Sequence, residues 1–268
     1  MKEFYLIGAG KMATAIAGGV VGAGTFSASQ LGAFDPDRGA AERFTRTTGV
    51  AADSSSPLAG IAESKAVLIA VKPQALEPAL TGLREALKNK VVLSIAAGVP
   101  IARLEELCGT RRIVRIMPNT PALVGCGAAA FAPGDGAEAE DVALSERIFS
   151  SIGTVCRLKE SDLDAVTALS GSGPAYAFEF IQSLADGGVA EGLPRDVATT
   201  LAAQTLLGSA RMVLQTGEHP ASLKDKVTSP AGTTSRGLEV LAERGFAGSV
   251  ILAVRAAAKR SRELGKKA

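Results

Sequence analysis

The sequence predicts an α/β protein in two parts, a parallel sheet interleaved with helices over residues 1–160 and an all-helical part over residues 161–268. Three observations lead there. Short runs rich in Val, Ile and Leu alternate with helix-like stretches through the first half, and strands that stay apolar without alternation belong to sheets covered on both faces. A Gly-x-Gly pattern follows the first of those runs directly. Beyond about Asp162 the strand signal stops, and only helical segments broken by Gly, Pro and Ser clusters remain.

In chain order, the predicted strands cover residues 4–7, 31–35, 66–71, 91–96 and 113–117, with helices at 11–23, 38–48, 75–87 and 101–107 between them. Two more apolar runs, 128–131 and 154–158, flank a helix at 139–151 and close the far edge of the same sheet. The boundary falls near 159–162. Helices then follow at 163–169, 174–191, 195–215, 221–226, 234–244 and 249–264. The last of these runs into Arg255, Lys259, Arg260, Arg262, Lys266 and Lys267, a solvated face ending in cations that suit a helix C-terminus.

Charge and composition exclude whole classes of function. Twenty-nine Lys and Arg against 27 Asp and Glu leave a formal charge of +2. That is too balanced for nucleic-acid binding to be the main task. With 47% hydrophobic and 21% charged residues the chain is globular. No apolar run reaches the ~18 residues of a membrane span, and Met1-Lys2-Glu3-Phe4 enters a strand rather than a signal peptide. The expectation is a soluble, cytoplasmic protein without membrane or nucleic-acid partners. Cys108, Cys126 and Cys156 are odd in number and widely spaced, so neither a disulfide framework nor a metal site is expected. With His219 the single histidine, a His pair or a Ser-His-Asp relay has nothing to work with.

Gly8-Ala9-Gly10-Lys11-Met12-Ala13 follows the first strand and opens a helix. In that setting Gly8 makes the turn, Gly10 lets backbone approach a pyrophosphate, and Ala13 permits close packing of helix on strand. The free N–H groups of the helix start hold the anion. This predicts a Rossmann-like dinucleotide-binding domain. Asp35, 22 residues past Ala13, is the acid expected at the end of the second strand. It either binds ribose hydroxyls and repels a 2′-phosphate, or joins Asp37 in capping the next helix; Arg38 is placed to take a phosphate instead. Ala70-Val71-Lys72-Pro73 ends the third strand, with Lys72 either a cofactor contact or a solvated loop lysine. Residues 117–121, Met-Pro-Asn-Thr-Pro, either line the nicotinamide side or turn the chain. In the helical half, residues 170–176 break a helix with four small residues and restart it at Pro174. Residues 228–234 join two helices with hydroxyls and small residues. Each is an ordinary loop by itself; together, beside a dinucleotide site, they suggest recognition of a small carboxylate.

These segments resemble the pyrroline-5-carboxylate reductase family: GAGKMA at 8–13, AVKPQ at 70–74, SIAAGV at 94–99, RIMPNTPALVG at 115–125, SGSGPAY at 170–176, GEHP at 217–220 and TSPAGTT at 228–234. Lys11 stands where the family usually has Asn, and Ala231 where it has a second Gly. The resemblance implies reduction of 1-pyrroline-5-carboxylate to L-proline by NADP(H) or NAD(H). It implies that Gly8, Ala9, Gly10, Lys11, Met12, Ala13, Asp35, Ala70, Val71, Lys72, Pro73 and Ala97 lie at the cofactor. On the substrate side it implies Ser229, Gly232, Thr233 and Thr234. It also implies that the helical domain dimerises, with rings of dimers beyond that. An apolar helical half, rich in Ala, Leu and Val, agrees with a dimer.

The residues suit this chemistry independently. The β-hydroxyacid dehydrogenases, of similar layout, place a catalytic Lys soon after a Gly-rich segment in their helical domain. This chain has no Lys between Lys159 and Lys224. Oxidising an alcohol needs such a base, whereas an imine arrives protonated or takes its proton from water and asks mainly for orientation and a donor. Thr234 is the candidate donor and catalytic residue. Two other readings are a reductase of the six-membered cyclic imine and a non-catalytic dinucleotide-binding regulator. His219 is expected to shape a helix start, the cysteines to pack, and Tyr176 to pack its ring at its loop.

Overall fold

Eight strands, β1 (Lys2–Ile7), β2 (Leu31–Phe34), β3 (Ala52–Asp53), β4 (Ser64–Ile69), β5 (Val91–Ser94), β6 (Ile113–Met117), β7 (Gly127–Pro133) and β8 (Gly153–Arg157), form one sheet. Their order is β3-β2-β1-β4-β5-β6-β7-β8, and every pairing is parallel except β6 with β7. The structure is a computed structural model and describes residues 1–265. Alternate side chains fill the two faces. Phe4 and Leu6 join Ile16, Val20, Phe26 and Phe44 on one side; Tyr5 and Ile7 join Ile61, Leu76, Leu80 and Leu104 on the other. Coverage on both faces explains why these strands read as continuous apolar runs.

The covering helices are α1 (Lys11–Gly22), α2 (Arg38–Thr48), α3 (Leu58–Ala62), α4 (Leu76–Leu80), α5 (Arg84–Leu87), α6 (Ile101–Cys108) and α7 (Ala139–Ser150). One long helix expected at 75–87 is instead two. Thr81 leaves helical geometry with ψ 125 and Gly82 takes φ +78, so the chain turns between α4 and α5. The β3 and α3 elements were not expected, being too short to show a period. The far edge departs from all-parallel pairing because the short 118–126 connection cannot make a crossover, so β7 returns antiparallel. The longer path through α7 then brings β8 in parallel.

After β8 come α8 (Leu163–Val166), a π turn at Thr167–Gly171, α9 (Gly173–Ala190), α10 (Arg195–Thr216), α11 (Pro220–Lys226), α12 (Thr233–Glu243) and α13 (Phe246–Gly265). The break expected at 170–176 is narrower than a loop: a π turn and the single residue Ser172. Two compact units emerge, one of Met1–Ser172 with the described end of α13 from Ala256, the other Gly173–Arg255. The 159–162 boundary expected from strand content lies inside the first unit. The second unit buries little of its own apolar surface, chiefly Ala185, Ala198 and Ala202, and leaves Phe178, Leu201, Leu214, Ile251 and Leu252 exposed. Arg255, Lys259, Arg260 and Arg262 lie on α13, while Lys266 and Lys267 lie outside the described residues. Among the described residues no helix is long and apolar enough to cross a membrane, and no cluster of His, Cys, Asp or Glu is placed to hold a metal ion.

Candidate active site

Parallel register aligns the ends of three central strands. Ile7 stands level with Phe34 of β2 and Ile69 of β4, so Gly8, Asp35 and Ala70 emerge together at the carboxyl edge. The chain reverses strand order between β1 and β4, the point where open α/β sheets bind ligands. Gly8 is pinned there. Its N–H donates to Phe34 O (2.7 Å), its φ is +103°, and a Cβ would sit 2.9 Å from Ala70 O and 3.1 Å from Val71 Cγ1. Gly10 is the opposite case. It precedes α1 in extended conformation, no side chain caps the helix, and a Cβ on it would meet nothing within 4 Å. That open space lies before the first N–H groups of α1, which have no intrahelical acceptor. A backbone cradle that a side chain would fill, facing the positive end of a helix, fits a pyrophosphate.

Gly8, Gly10, Phe34, Asp35, Ala70 and Lys72 line a cleft of about 600 Å³, together with Val71 and several residues from α3 to α5. Pro57, Pro78 and Leu83 are among the latter. They were not anticipated, since no local pattern marks them and packing alone brings them in. Ala9 and Ala13 are buried beneath the turn, with Met12 half-buried and Lys11 exposed. Pro73 starts a short 3-10 turn after Lys72, and Ala97 is exposed just past β5 at the same edge of the sheet. None of these six lines the cleft.

The two aspartates are bonded differently. Asp37 caps α2, accepting from Gly39 N at 2.8 Å. Asp35 instead braces the glycine turn: Oδ2 accepts from Ala9 N (2.8 Å) and Oδ1 from Asp37 N (3.0 Å). A carboxylate has about four acceptor positions, so capacity remains for hydroxyls in the cleft. Arg38 is exposed and pairs with Glu42 at 2.9 Å. Asp35→Ser is therefore expected to do two things. If Asp35 faces the adenosine ribose, the substitution favours NADPH relative to NADH by removing a carboxylate near the extra phosphate, and it loosens the turn by removing acceptors worth about 1.5–3 kcal/mol each when charged. An unchanged ratio of the two catalytic efficiencies would refute the first effect, and an unchanged thermal midpoint the second.

The Thr228–Thr234 segment belongs to the helical unit. Ser229 O accepts from Gly232 N (3.1 Å), Pro230 sits second, and Ala231 takes φ +54°, so residues 229–232 form a turn of type II character. That conformation strains Ala231 and would suit glycine. A Cβ on Gly232 would lie 2.2 Å from Ser229 Oγ, so a side chain there would force the Ser229 hydroxyl to move. It precedes α12 without a side-chain cap, and no acid occupies the first turn. The start of α12 is thus free to take an anion, flanked by Ser229, Thr233 and Thr234. Thr228 Oγ1 donates to Lys224 O (2.7 Å) and Ser235 Oγ to Gly232 O (2.8 Å), whereas the Thr234 hydroxyl makes no such bond.

The other candidates have structural roles. His219 Nδ1 accepts from Ala221 N at 3.2 Å and starts α11. Cys108 is buried as expected, and loss of solvation pushes its thiol up to about 12, which leaves it unreactive. Cys126 and Cys156, also expected to pack, are exposed instead, since Cys126 lies in the connection before β7 and Cys156 on the edge strand β8. Tyr176 lines a groove with Phe180 and Phe246 on the helical unit.

An uncapped helix start behind a glycine turn, at the switch point of a mostly parallel sheet, is the arrangement of a dinucleotide-binding fold. Residues 160–264 match the family model described as pyrroline-5-carboxylate reductase dimerisation, and residues 3–98 match the one described as NADP oxidoreductase, coenzyme F420-dependent. Pyrroline-5-carboxylate reductase of Arabidopsis thaliana is 47% identical over 96% of this chain and 94% of its own length. That of Escherichia coli (strain K12) is 40% identical over 99% of each. Among solved structures, the Plasmodium falciparum pyrroline carboxylate reductase with NADP bound has a TM-score of 0.88 at 34% identity, covering 98% of both chains. The Coxiella burnetii enzyme has 0.91 at 32%, again over 98% of both. The chain belongs to the pyrroline-5-carboxylate reductase family.

Proposed function

We infer that this chain reduces 1-pyrroline-5-carboxylate to L-proline with NAD(P)H, the last step of proline biosynthesis. The observation that carries the reading is the Thr228–Thr234 segment, an uncapped helix start flanked by the hydroxyls of Ser229, Thr233 and Thr234. It suits a small carboxylate beside a polar nitrogen, in a chain whose only histidine is committed to a helix cap. When bound, the reduced nicotinamide supplies a hydride to the imine carbon. Ser229, Gly232 and Thr233 hold the carboxylate against the positive end of α12. Thr234 is the catalytic residue, its hydroxyl orienting the ring nitrogen, which arrives protonated or takes its proton from water.

On the cofactor side, Gly8, Ala9, Gly10, Lys11, Met12 and Ala13 form the pyrophosphate turn. Asp35 serves the ribose, and Ala70, Val71, Lys72, Pro73 and Ala97 serve the rest of the cofactor. Residues 1–160 act as the NAD(P)-binding domain and residues 161–268 as the dimerisation and substrate domain. The protein works as a homodimer, assembled further into a ring of dimers, in the cytoplasm, where three unpaired thiols suit a reducing medium.

The test is oxidation of NADPH and NADH followed with the five-membered and the six-membered cyclic imine acid. Turnover with both rings is expected, with preference for the smaller by about ten- to a hundred-fold, since a methylene is worth about 1–3 kcal/mol. No turnover with the five-membered ring, or preference for the larger, would overturn the reading.

A further inference from the structure

Asn119 sits two residues past β6, at the carboxyl edge of the sheet, and is only 7% exposed. It precedes the 3-10 turn Thr120–Val124, yet its side chain does not cap that turn. The amide is spent on two distant segments instead. Oδ1 accepts from Ala128 N (2.9 Å) at the start of β7, and Nδ2 donates to Ser170 O (3.0 Å) in the π turn. Both ends of a buried amide are thus satisfied by backbone alone.

Ser170 O lacks the donor that an α-helix would give it. In a continuing helix it would accept from the residue four positions on, but that residue is Pro174, which has no N–H. The preceding bonds have already slipped to the wider spacing, with Ser172 N donating to Thr167 O at 2.8 Å. Next to it Gly171 lies so close to Met117 that a Cβ would stand 2.6 Å from the Met117 Cε. The 117–119 segment and the 170–171 backbone therefore form one seated unit, with Met117 against Gly171 and Asn119 on Ser170.

Strand order gives this unit its place. With Asp35 after β2 and the glycine turn after β1, a dinucleotide held as inferred above would run on past β4 toward β5 and β6, which would put the residues that follow β5 and β6 at its reacting end. We propose that Asn119 is a positioning residue for imine reduction, supplying the donor that Pro174 withholds from Ser170 and so fixing the Ser170–Ser172 backbone beside the reacting end of the site. π turns recur at functional sites because the extra residue re-aims the backbone. Here Pro174 removes the α-helical donor and Asn119 supplies one.

The proposal rests on the cofactor placement inferred above, and a pair of backgrounds separates the two. Steady-state kinetics with the imine and NADPH titration are measured for Asn119→Ala in the wild-type and Pro174→Ala chains. In the wild-type background kcat/KM for the imine is expected to fall roughly ten-fold, with NADPH affinity held within about two-fold. In the Pro174→Ala background residue 174 carries an N–H, and the loss from Asn119→Ala is expected to shrink to about three-fold or less, the remainder belonging to Ala128. An equal loss in both backgrounds would overturn the proposal. So would a lowered thermal midpoint with unchanged kcat/KM, or a loss of NADPH affinity that matches the loss of kcat. If Asn119→Ala yields no folded protein, Asn119→Ser is read by the same comparison. Failure of the cofactor placement is a different result: a wild-type enzyme whose turnover is insensitive to substitutions in the Gly8–Ala13 turn.

Discussion

Thr234→Val should lose roughly ten- to a hundred-fold in catalytic efficiency, because a hydrogen bond to a charged or developing centre is worth ~1.5–3 kcal/mol. Valine keeps the shape and branching of threonine and removes only the hydroxyl. Thr234 is the second residue of α12, is half-buried, and takes no part in capping that helix, so the fold does not need its oxygen. Thr234→Ser should retain most of the activity, and NADPH affinity should stay near wild type in both variants. Steady-state kinetics with the imine check this directly. If the Val and Ser variants behave alike, the hydroxyl has no part in the chemistry.

A larger effect is expected at the glycine turn, where two neighbouring positions should respond in opposite ways. Gly10→Asp places a carboxylate in open space at a helix N-cap, where Asp is at least as good as Gly. The thermal midpoint should hold or rise. Cofactor affinity should fall by about a hundred-fold or more, since like charges about 4 Å apart repel by about 1–4 kcal/mol outside the dry interior. Gly8→Ala should reverse the pattern of damage. With φ +103° and Ala70 O only 2.9 Å from the added carbon, the protein itself must shift, so stability falls before any cofactor is added. Thermal melts with and without NADPH separate the two. Equal melting behaviour, or full cofactor affinity in Gly10→Asp, would show that the anion is held elsewhere.

Most strands were legible because burial on both faces writes itself as uninterrupted apolar sequence, and Phe4 to Ile7 is the clearest case. Two-residue β3 leaves no such trace, and only its register with Ala33 and Phe34 identifies it. The glycine turn was readable since its demands are local. Asp35 was readable as a position but not as a set of bonds, because nothing in the sequence distinguishes a carboxylate that meets ribose from one that braces Ala9. Asn119 was visible only as part of a motif. Its partners lie 9 and 51 residues away, and a side chain whose purpose is tertiary has no local signature. Ala231 is a different lesson. The departure from the usual glycine was evident, yet its φ of +54° emerges only once the turn is built.

The sparse interior of the helical unit would make enzyme concentration a variable of its stability once a second chain covers it. Three alanines cannot hold Gly173–Arg255 together against the entropy of ordering it, while Leu214 at 79% and Ile251 at 59% exposure await cover. The family model matched by residues 160–264 is described as a dimerisation domain, and cover by a second chain would make folding of this half a bimolecular event. Dilution would then act on it as a denaturant does. The sheet half has its own two-faced core and would have no such dependence, so the two halves of one polypeptide would answer to different laws of mass action.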